Sequence, residues 1–215
     1  MGKNILVVAA TAKEIEPFIS LARAGNFTNV DILISGIGLA ASTYHLTKQL
    51  ALKKYELVIQ PGVAGCFDFI IDLGQVVAVK EDTIAVQSVV ELEKLKTLFD
   101  LKLVPRDQYP YQKGWLINPN KEILKQSELK LVKGISVNQI STSKQMIKFY
   151  RDVFDPVTES MEGAALHYVC LMESIPFLQI RSISNYIGER NKAKWNMMDS
   201  IINLNNVLIR IINNH

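Results

Sequence analysis

The sequence predicts an α/β fold: a single three-layer domain over residues 1–215, with a mixed, mostly parallel central sheet flanked by helices. Short continuous apolar runs, the pattern of strands buried on both faces, alternate with longer stretches of helical periodicity from the N-terminus onward. Glycine or polar clusters follow several of those runs directly, as strand-to-helix connections do. No repeat, low-complexity tract or linker divides the 215 residues, and the hydrophobic share of 48% is that of a chain with a full core.

Residues 4–10 form the first apolar run and read as a strand, and residues 11–22 read as a helix. A second strand over 30–35 ends in Ser35-Gly36-Ile37-Gly38. The helix after it carries Leu39, Thr43, Leu46 and Leu50 on one stripe. Residues 57–60 make a third, short strand that runs into Pro61-Gly62-Val63-Ala64-Gly65, and residues 73–79 a fourth. Between 81 and 131, Pro105, Pro110 and Pro119 argue against long regular elements. A strand over 133–137 precedes a helix over 143–151 with a hydroxyl at its start. Residues 162–173 read as a helix with Ala165, Val169 and Met172 on one face, and 176–183 as a strand. The final helix, 195–213, has Met197, Ile201, Leu204, Leu208 and Ile211 in one apolar stripe.

Composition narrows the function. Lys plus Arg number 24 against 21 Asp plus Glu, and the small excess is scattered, so no basic stripe offers a nucleic-acid groove. No apolar stretch approaches the roughly 20 residues that span a bilayer. Met1-Gly2 opens like an acylation signal, but Leu6 stands where Ser or Thr is needed. Cys66 and Cys170 form no CxxC pair and read as buried free thiols of a reducing, cytoplasmic compartment. His45 and His167 have no partners at metal-ligand spacing, so no metal is implied.

Ligands of open α/β sheets gather beyond the carboxyl ends of the strands. Four segments there carry glycine, polar or acidic residues: 10–14, 35–38, 61–65 and 182–188. Each has an ordinary explanation as well. Ser35-Gly36-Ile37-Gly38 suits a tight turn, and Ala41 in place of a third glycine disfavours a dinucleotide site. Glu14 suits a helix surface, and Glu162, before Gly163-Ala164-Ala165, suits either a ligand or the positive end of its helix.

Together these segments resemble the purine nucleoside phosphorylase and nucleosidase superfamily, in its hydrolase branch, over nearly the whole chain. Ala10-Thr11-Ala12-Lys13-Glu14-Ile15 is similar to the segment that supplies a water-activating Glu. Ser35-Gly36-Ile37-Gly38 and Gly62-Val63-Ala64-Gly65 resemble two glycine turns lining a nucleoside cleft. Met161-Glu162 resembles the pair that holds ribose, and Arg181-Ser182-Ile183-Ser184-Asn185 the purine-binding strand end. Glu159-Ser160-Met161-Glu162-Gly163-Ala164-Ala165 and the run from Ser184 through Arg190 to Trp195 are similar to the futalosine hydrolases, of the futalosine route to menaquinone.

The resemblance implies a nucleoside phosphorylase-like sheet, a small-molecule purine nucleoside substrate, no cofactor, and a homo-oligomer whose neighbouring subunit closes the site. Residues 101–118 are a candidate for that closure. Glu14 and Asn185 become the candidate catalytic residues. Gly62, Val63, Ala64, Gly65, Ile140, Met161, Glu162, Arg181, Ser184 and Arg190 become the candidate substrate-binding set. In this chemistry Glu14 takes a proton from water, and Glu162 accepts from the ribose hydroxyls and stabilises an oxocarbenium-like sugar. An Asn amide protonates nothing, but its NH2 donates to O6 and N7 of a 6-oxopurine, so Asn185 favours hypoxanthine. The methylthioadenosine nucleosidases usually carry Asp there, and Asn is also an ordinary turn residue. Arg181 is a loop-orienting or salt-bridging residue; Arg190 is a candidate partner for a substrate carboxylate or an exposed side chain. Phosphorolysis is disfavoured, since no phosphate loop follows the first strand. An adenosine-type nucleosidase and a non-catalytic nucleoside-binding protein are the competing expectations.

Overall fold

A computed structural model describes residues 3–215; Met1-Gly2, and with them the acylation-like start, lie outside the described residues. The order of elements is β1 (Ile5–Ala9), α1 (Glu16–Arg23), β2 (Val30–Ile34), α2 (Leu39–Leu52), β3 (Leu57–Cys66) and β4 (Val76–Asp82). There follow a hairpin of β5 (Ser88–Glu91) and β6 (Lys94–Thr97), then β7 (Leu116–Ile117), α3 (Lys121–Gln126), β8 (Lys130–Ser136) and α4 (Lys144–Phe154). The chain ends with β9 (Thr158–Ser160), α5 (Gly163–Met172), β10 (Phe177–Tyr186) and α6 (Met197–Asn213).

The central sheet is mixed and flanked by helices, with strand order β2-β1-β3-β9-β8-β4-β10. Strand β10 pairs with β3 as well as with β4, so β3, β9, β8, β4 and β10 close into a ring. This barrel-like closure goes beyond the layered sheet expected from alternation alone. It depends on β9, a three-residue strand too short to show a period, which pairs antiparallel with β3 and parallel with β8.

The apolar runs sort their side chains by alternation. Ile5, Val7 and Ala9 of β1 enter one core with Leu57, Ile59, Leu178, Ile180 and the α6 residues Leu204 and Leu208. Leu6 and Val8 point the other way, into a second core with Val58, Leu46 and the α5 residues Leu166 and Cys170. Each fully buried Val, Leu or Ile among them contributes about 1.5–3 kcal/mol. Helix α5 is buried on nearly every side, but Met172 is 49% exposed, so the expected stripe ends at Val169. Both cysteines are free and buried, and burial pushes the Cys66 thiol up to about 11. Among the described residues, no helix is long and apolar enough to cross a membrane.

Two of the elements that outrun their expected bounds, β3 and β10, reach the ligand cleft. Residues 61–65 read as a turn, yet they continue β3 to Cys66 because β10 and β9 satisfy their backbone on either side. Strand β10 likewise continues through Ser184-Asn185 to Tyr186. The unreadable middle holds the β5–β6 hairpin, β7 and α3, all short.

Candidate active site

A cleft of about 490 Å³ opens beyond the carboxyl ends of β1, β3 and β10. Of the residues expected there, Glu14, Val63, Ala64, Gly65, Ile140, Met161, Glu162, Ser184 and Asn185 line it. Three do not: Gly62 and Arg181 lie beneath the floor, and Arg190 lies outside, its guanidinium over the Trp195 ring with 5.5 Å to the centroid.

Glu14 sits on a single 3-10 turn, Ala12–Ile15, in a capping box with Thr11. Its carboxylate accepts from the Thr11 backbone N (3.1 Å), Thr11 Oγ1 (2.9 Å) and the Val63 backbone N (3.3 Å). The turn is held from behind by α6. Asn205 Nδ2 donates to Glu14 O at 2.9 Å, and Asn205 Oδ1 accepts from Phe18 N at 3.1 Å.

Glu162 is the N-cap residue of α5 and only 8% exposed. Its Oε1 accepts from Gly38 N at 2.9 Å, which is what the second glycine of the 35–38 segment supplies. Burial raises the Glu162 pKa, while the positive charge of Arg181 opposes the rise. Arg181 is itself 2% exposed and donates to Gln60 Oε1 at 2.6 Å. Its guanidinium crosses Gly62 so closely that a Cβ there would stand 2.0 Å from Nη1, with Glu14 Oε1 3.4 Å from the same point. Only glycine fits at that crossing. A buried cation therefore underlies Glu14 and Glu162.

Strand β10 carries a bulge: Ile183 pairs with Ala64 and Asn185 with Gly65, leaving Ser184 as the extra residue. Consecutive strand residues normally face opposite ways, but here Ser184 and Asn185 both line the cleft. Ser184 Oγ lies 2.9 Å from Asn185 Oδ1, and Asn185 Nδ2 donates to Tyr186 O at 3.2 Å. That fixes the amide with a second Nδ2 hydrogen still to give. The start of α6 docks onto this bulge through Asn196 N to Ser184 O (2.8 Å) and Ser200 Oγ to Ile183 O (2.8 Å). The expected α6 stripe is consequently divided: Leu204, Leu208 and Ile211 enter the core, whereas Met197 and Ile201 form a cleft wall with Trp195.

Glu159 lines the cleft without having been expected from sequence. Its carboxylate accepts from Ser141 N at 3.0 Å and from Ser141 Oγ, anchoring the loop that carries Ile140. Burial raises its pKa. Nothing local in Thr158-Glu159-Ser160 signals this, because the partner is 18 residues away.

Behind the cleft lie two buried titratable groups with opposite shifts. Burial pushes Asp82 up to about 7 and His167 down to about 4. The folded state holds a proton on Asp82 that the unfolded chain loses near pH 4, so this term lowers stability as pH rises from about 4 to 7. The His167 term raises stability as pH climbs from about 4 to 6.5, because only the unfolded chain protonates there. The two oppose each other below pH 6.5. In Asp82→Asn only the His167 term survives, and thermal unfolding should show Tm rising more steeply between pH 4.5 and 6.5 than in the parent. Parallel profiles would contradict this.

With this geometry in view, the family can be stated. The family model of the phosphorylase superfamily matches residues 5–213, and the chain belongs to that superfamily. Among its relatives, futalosine hydrolase of Thermus thermophilus is 25% identical over 200 residues, spanning 92% of this chain and 88% of its own. A 5′-methylthioadenosine/S-adenosylhomocysteine nucleosidase of Maridesulfovibrio salexigens is 27% identical over 176 residues, covering 76% of this chain and 71% of the relative. The fold matches the solved futalosine hydrolase of Helicobacter pylori with a TM-score of 0.79 at 20% identity, over 99% of this chain and 98% of that one. It also matches a variant of the methylthioadenosine nucleosidase of the same organism, solved with 5′-methylthioadenosine in the active site, with a TM-score of 0.77 at 22% identity and complete coverage of both chains.

Proposed function

We propose that this protein is a nucleoside N-glycosidase that hydrolyses a 6-oxopurine nucleoside of the futalosine type and releases hypoxanthine. The observation that carries this reading is the arrangement of Glu14 and Glu162 in one cleft, over the buried Arg181, with Asn185 in the same wall. Both named relatives are nucleosidases, which supports glycosidic cleavage, and they differ in the substrate that each name gives.

Glu14, held by three donors, takes a proton from water as the oxygen attacks C1′ and the bond to N9 breaks. Glu162 accepts from the ribose 2′ and 3′ hydroxyls and stabilises the positive charge that develops on the sugar. Met161 is an apolar wall for the sugar. The departing base keeps its electron pair and is met by the one free Nδ2 hydrogen of Asn185, which O6 and N7 share. Water is favoured over phosphate because, among the described residues, Lys13 is the one cation lining the cleft, and Arg181 is committed beneath the floor. Lys13 is placed within the cleft to meet a carboxylate on the sugar substituent.

The test is Asn185→Asp. An ionised carboxylate there faces the acceptors O6 and N7, so turnover of futalosine should fall about 10- to 100-fold. Adenine release from methylthioadenosine should rise. Undiminished futalosine hydrolysis in the variant would remove Asn185 from base selection.

The same reading includes a homo-oligomer. Ile37, which lines the cleft, is 62% exposed, and Tyr44 and Tyr109 nearby in the α2 grooves are 61% and 62% exposed. A monomer in sedimentation equilibrium at micromolar concentration contradicts it.

A further inference from the structure

Asp82 at the end of β4 takes no part in the chemistry above, yet it is wholly buried directly under the first turn of α5. Two serines receive the leading amides of that helix. Gly163 N donates to Ser160 Oγ at 3.2 Å, and Ala164 N donates to Ser136 Oγ at 2.7 Å. Because the Ser136 oxygen accepts from Ala164, its own proton must point elsewhere, and it points to Asp82 Oδ1 at 3.0 Å. Asp82 thereby decides which way the Ser136 hydroxyl faces. Its other oxygen, Oδ2, abuts the helix itself. A Cβ on Gly163 would lie 2.2 Å from Asp82 Oδ2 and 2.2 Å from Gln179 Nε2, so the carboxylate and helix backbone are in closest approach. Asp82 and Gln179 are both wholly buried at this spot, with Asp82 Oδ2 and Gln179 Nε2 facing each other. Buried polar groups of that kind are costly to keep for packing alone.

The residue before this anchored turn is Glu162. We propose that Asp82 is a positioning residue for Glu162: through Ser136 it fixes the Ala164 amide and the N-terminus of α5, and so sets where the Glu162 carboxylate meets the ribose hydroxyls. The contacts bear on residues 163 and 164, while Gly38 N holds the far end of the Glu162 side chain, so the carboxylate is located from both sides. An apolar residue at 82 would fill the space but remove the acceptor that orients the Ser136 hydroxyl, leaving Ser160 Oγ at 3.5 Å as its remaining neighbour.

This inference rests on the assignment of Glu162 to the ribose hydroxyls. Its test compares kcat/KM on futalosine with that on the 3′-deoxy analogue, in the full-length protein and in Ser136→Ala, Asp82→Ala and Asp82→Asn. Each ratio is compared with the parent's, so the intrinsic lability of the two glycosidic bonds cancels. Ser136→Ala and Asp82→Ala should shrink the ribo-to-deoxy ratio about tenfold, because a displaced Glu162 no longer distinguishes the hydroxyl. Asp82→Asn keeps an acceptor for Ser136 and should stay within about twofold of the parent ratio. A loss that falls equally on both substrates in Ser136→Ala and Asp82→Ala, leaving the ratio intact, would overturn the proposal and mark the pair as structural. Should Asp82→Ala fail to fold, Ser136→Ala decides alone. If the parent itself does not discriminate, the ribose assignment of Glu162 fails. Hydrogen exchange at the Ala164 amide then decides the anchoring: exchange that is faster in Ser136→Ala with β1 amides unchanged sustains it, and unchanged exchange at Ala164 refutes it.

Discussion

Glu14→Gln is expected to lower kcat about a thousandfold with little change in KM, as loss of a general base at the reacting water does. The substitution is not a silent isostere. The carboxylate accepts from donors on both oxygens, Val63 N on one and Thr11 N and Oγ1 on the other. A Gln must turn its NH2 toward one of these sets, so donor faces donor and the 3-10 turn is strained. Asn205, gripping the Glu14 carbonyl from α6, keeps that disturbance local. Stopped assays of product release, with far-ultraviolet circular dichroism to verify folding, measure it. A variant within tenfold of the parent would mean that Glu14 does not activate the water.

Glu162→Gln should be nearly as severe, at about 100- to 1000-fold in kcat/KM, but for another reason. Glu162 is buried, so its negative charge is poorly screened and acts strongly on a positive sugar. Burial raises its pKa while Arg181 works against the rise, and the neutral amide leaves Arg181 with one carboxylate fewer. An added positive charge near the sugar is the wrong sign for an oxocarbenium-like transition state. The Gly38 amide can still be satisfied by the Gln carbonyl, so the fold should persist. Loss of discrimination between ribose and deoxyribose substrates should accompany the loss of rate. If Glu162→Gln slows both substrates equally, the carboxylate is not the ribose ligand.

What was readable in the sequence follows from how local each signal is. Glu14 and Asn185 each stand in a short segment at the end of an apolar run, and Glu162 directly before Gly163-Ala164-Ala165, and the structure brings all three to one cleft. Strand β1 is evident because both of its faces are buried and its run is unbroken, and β2, half-exposed at the sheet edge, because its run is nearly so. The rest was set by partners distant in sequence. Residues 61–65 look like a turn until β10 and β9 pair with them, and β9 has three residues and no period of its own. The bulge at Ser184 exists only as a register shift against β3, so alternation alone misdirects Ser184 and Asn185 to opposite faces. Arg181 was singled out, but not its place beneath Gly62, which requires two strands in register. Asn205 stands one turn after Ile201 at the edge of the apolar stripe, and nothing local signals that it holds Glu14 across 191 positions of sequence. Arg190 illustrates the reverse: a residue in the right motif whose side chain rests on the outer side of the cleft wall.

The most direct measurement is the identity of the products from futalosine and from 5′-methylthioadenosine, each with and without inorganic phosphate. Hypoxanthine and a free sugar should form from futalosine at the same rate whether or not phosphate is present, with methylthioadenosine left intact. Adenine released from methylthioadenosine while futalosine remains untouched, or a sugar phosphate that appears only with phosphate, would contradict it.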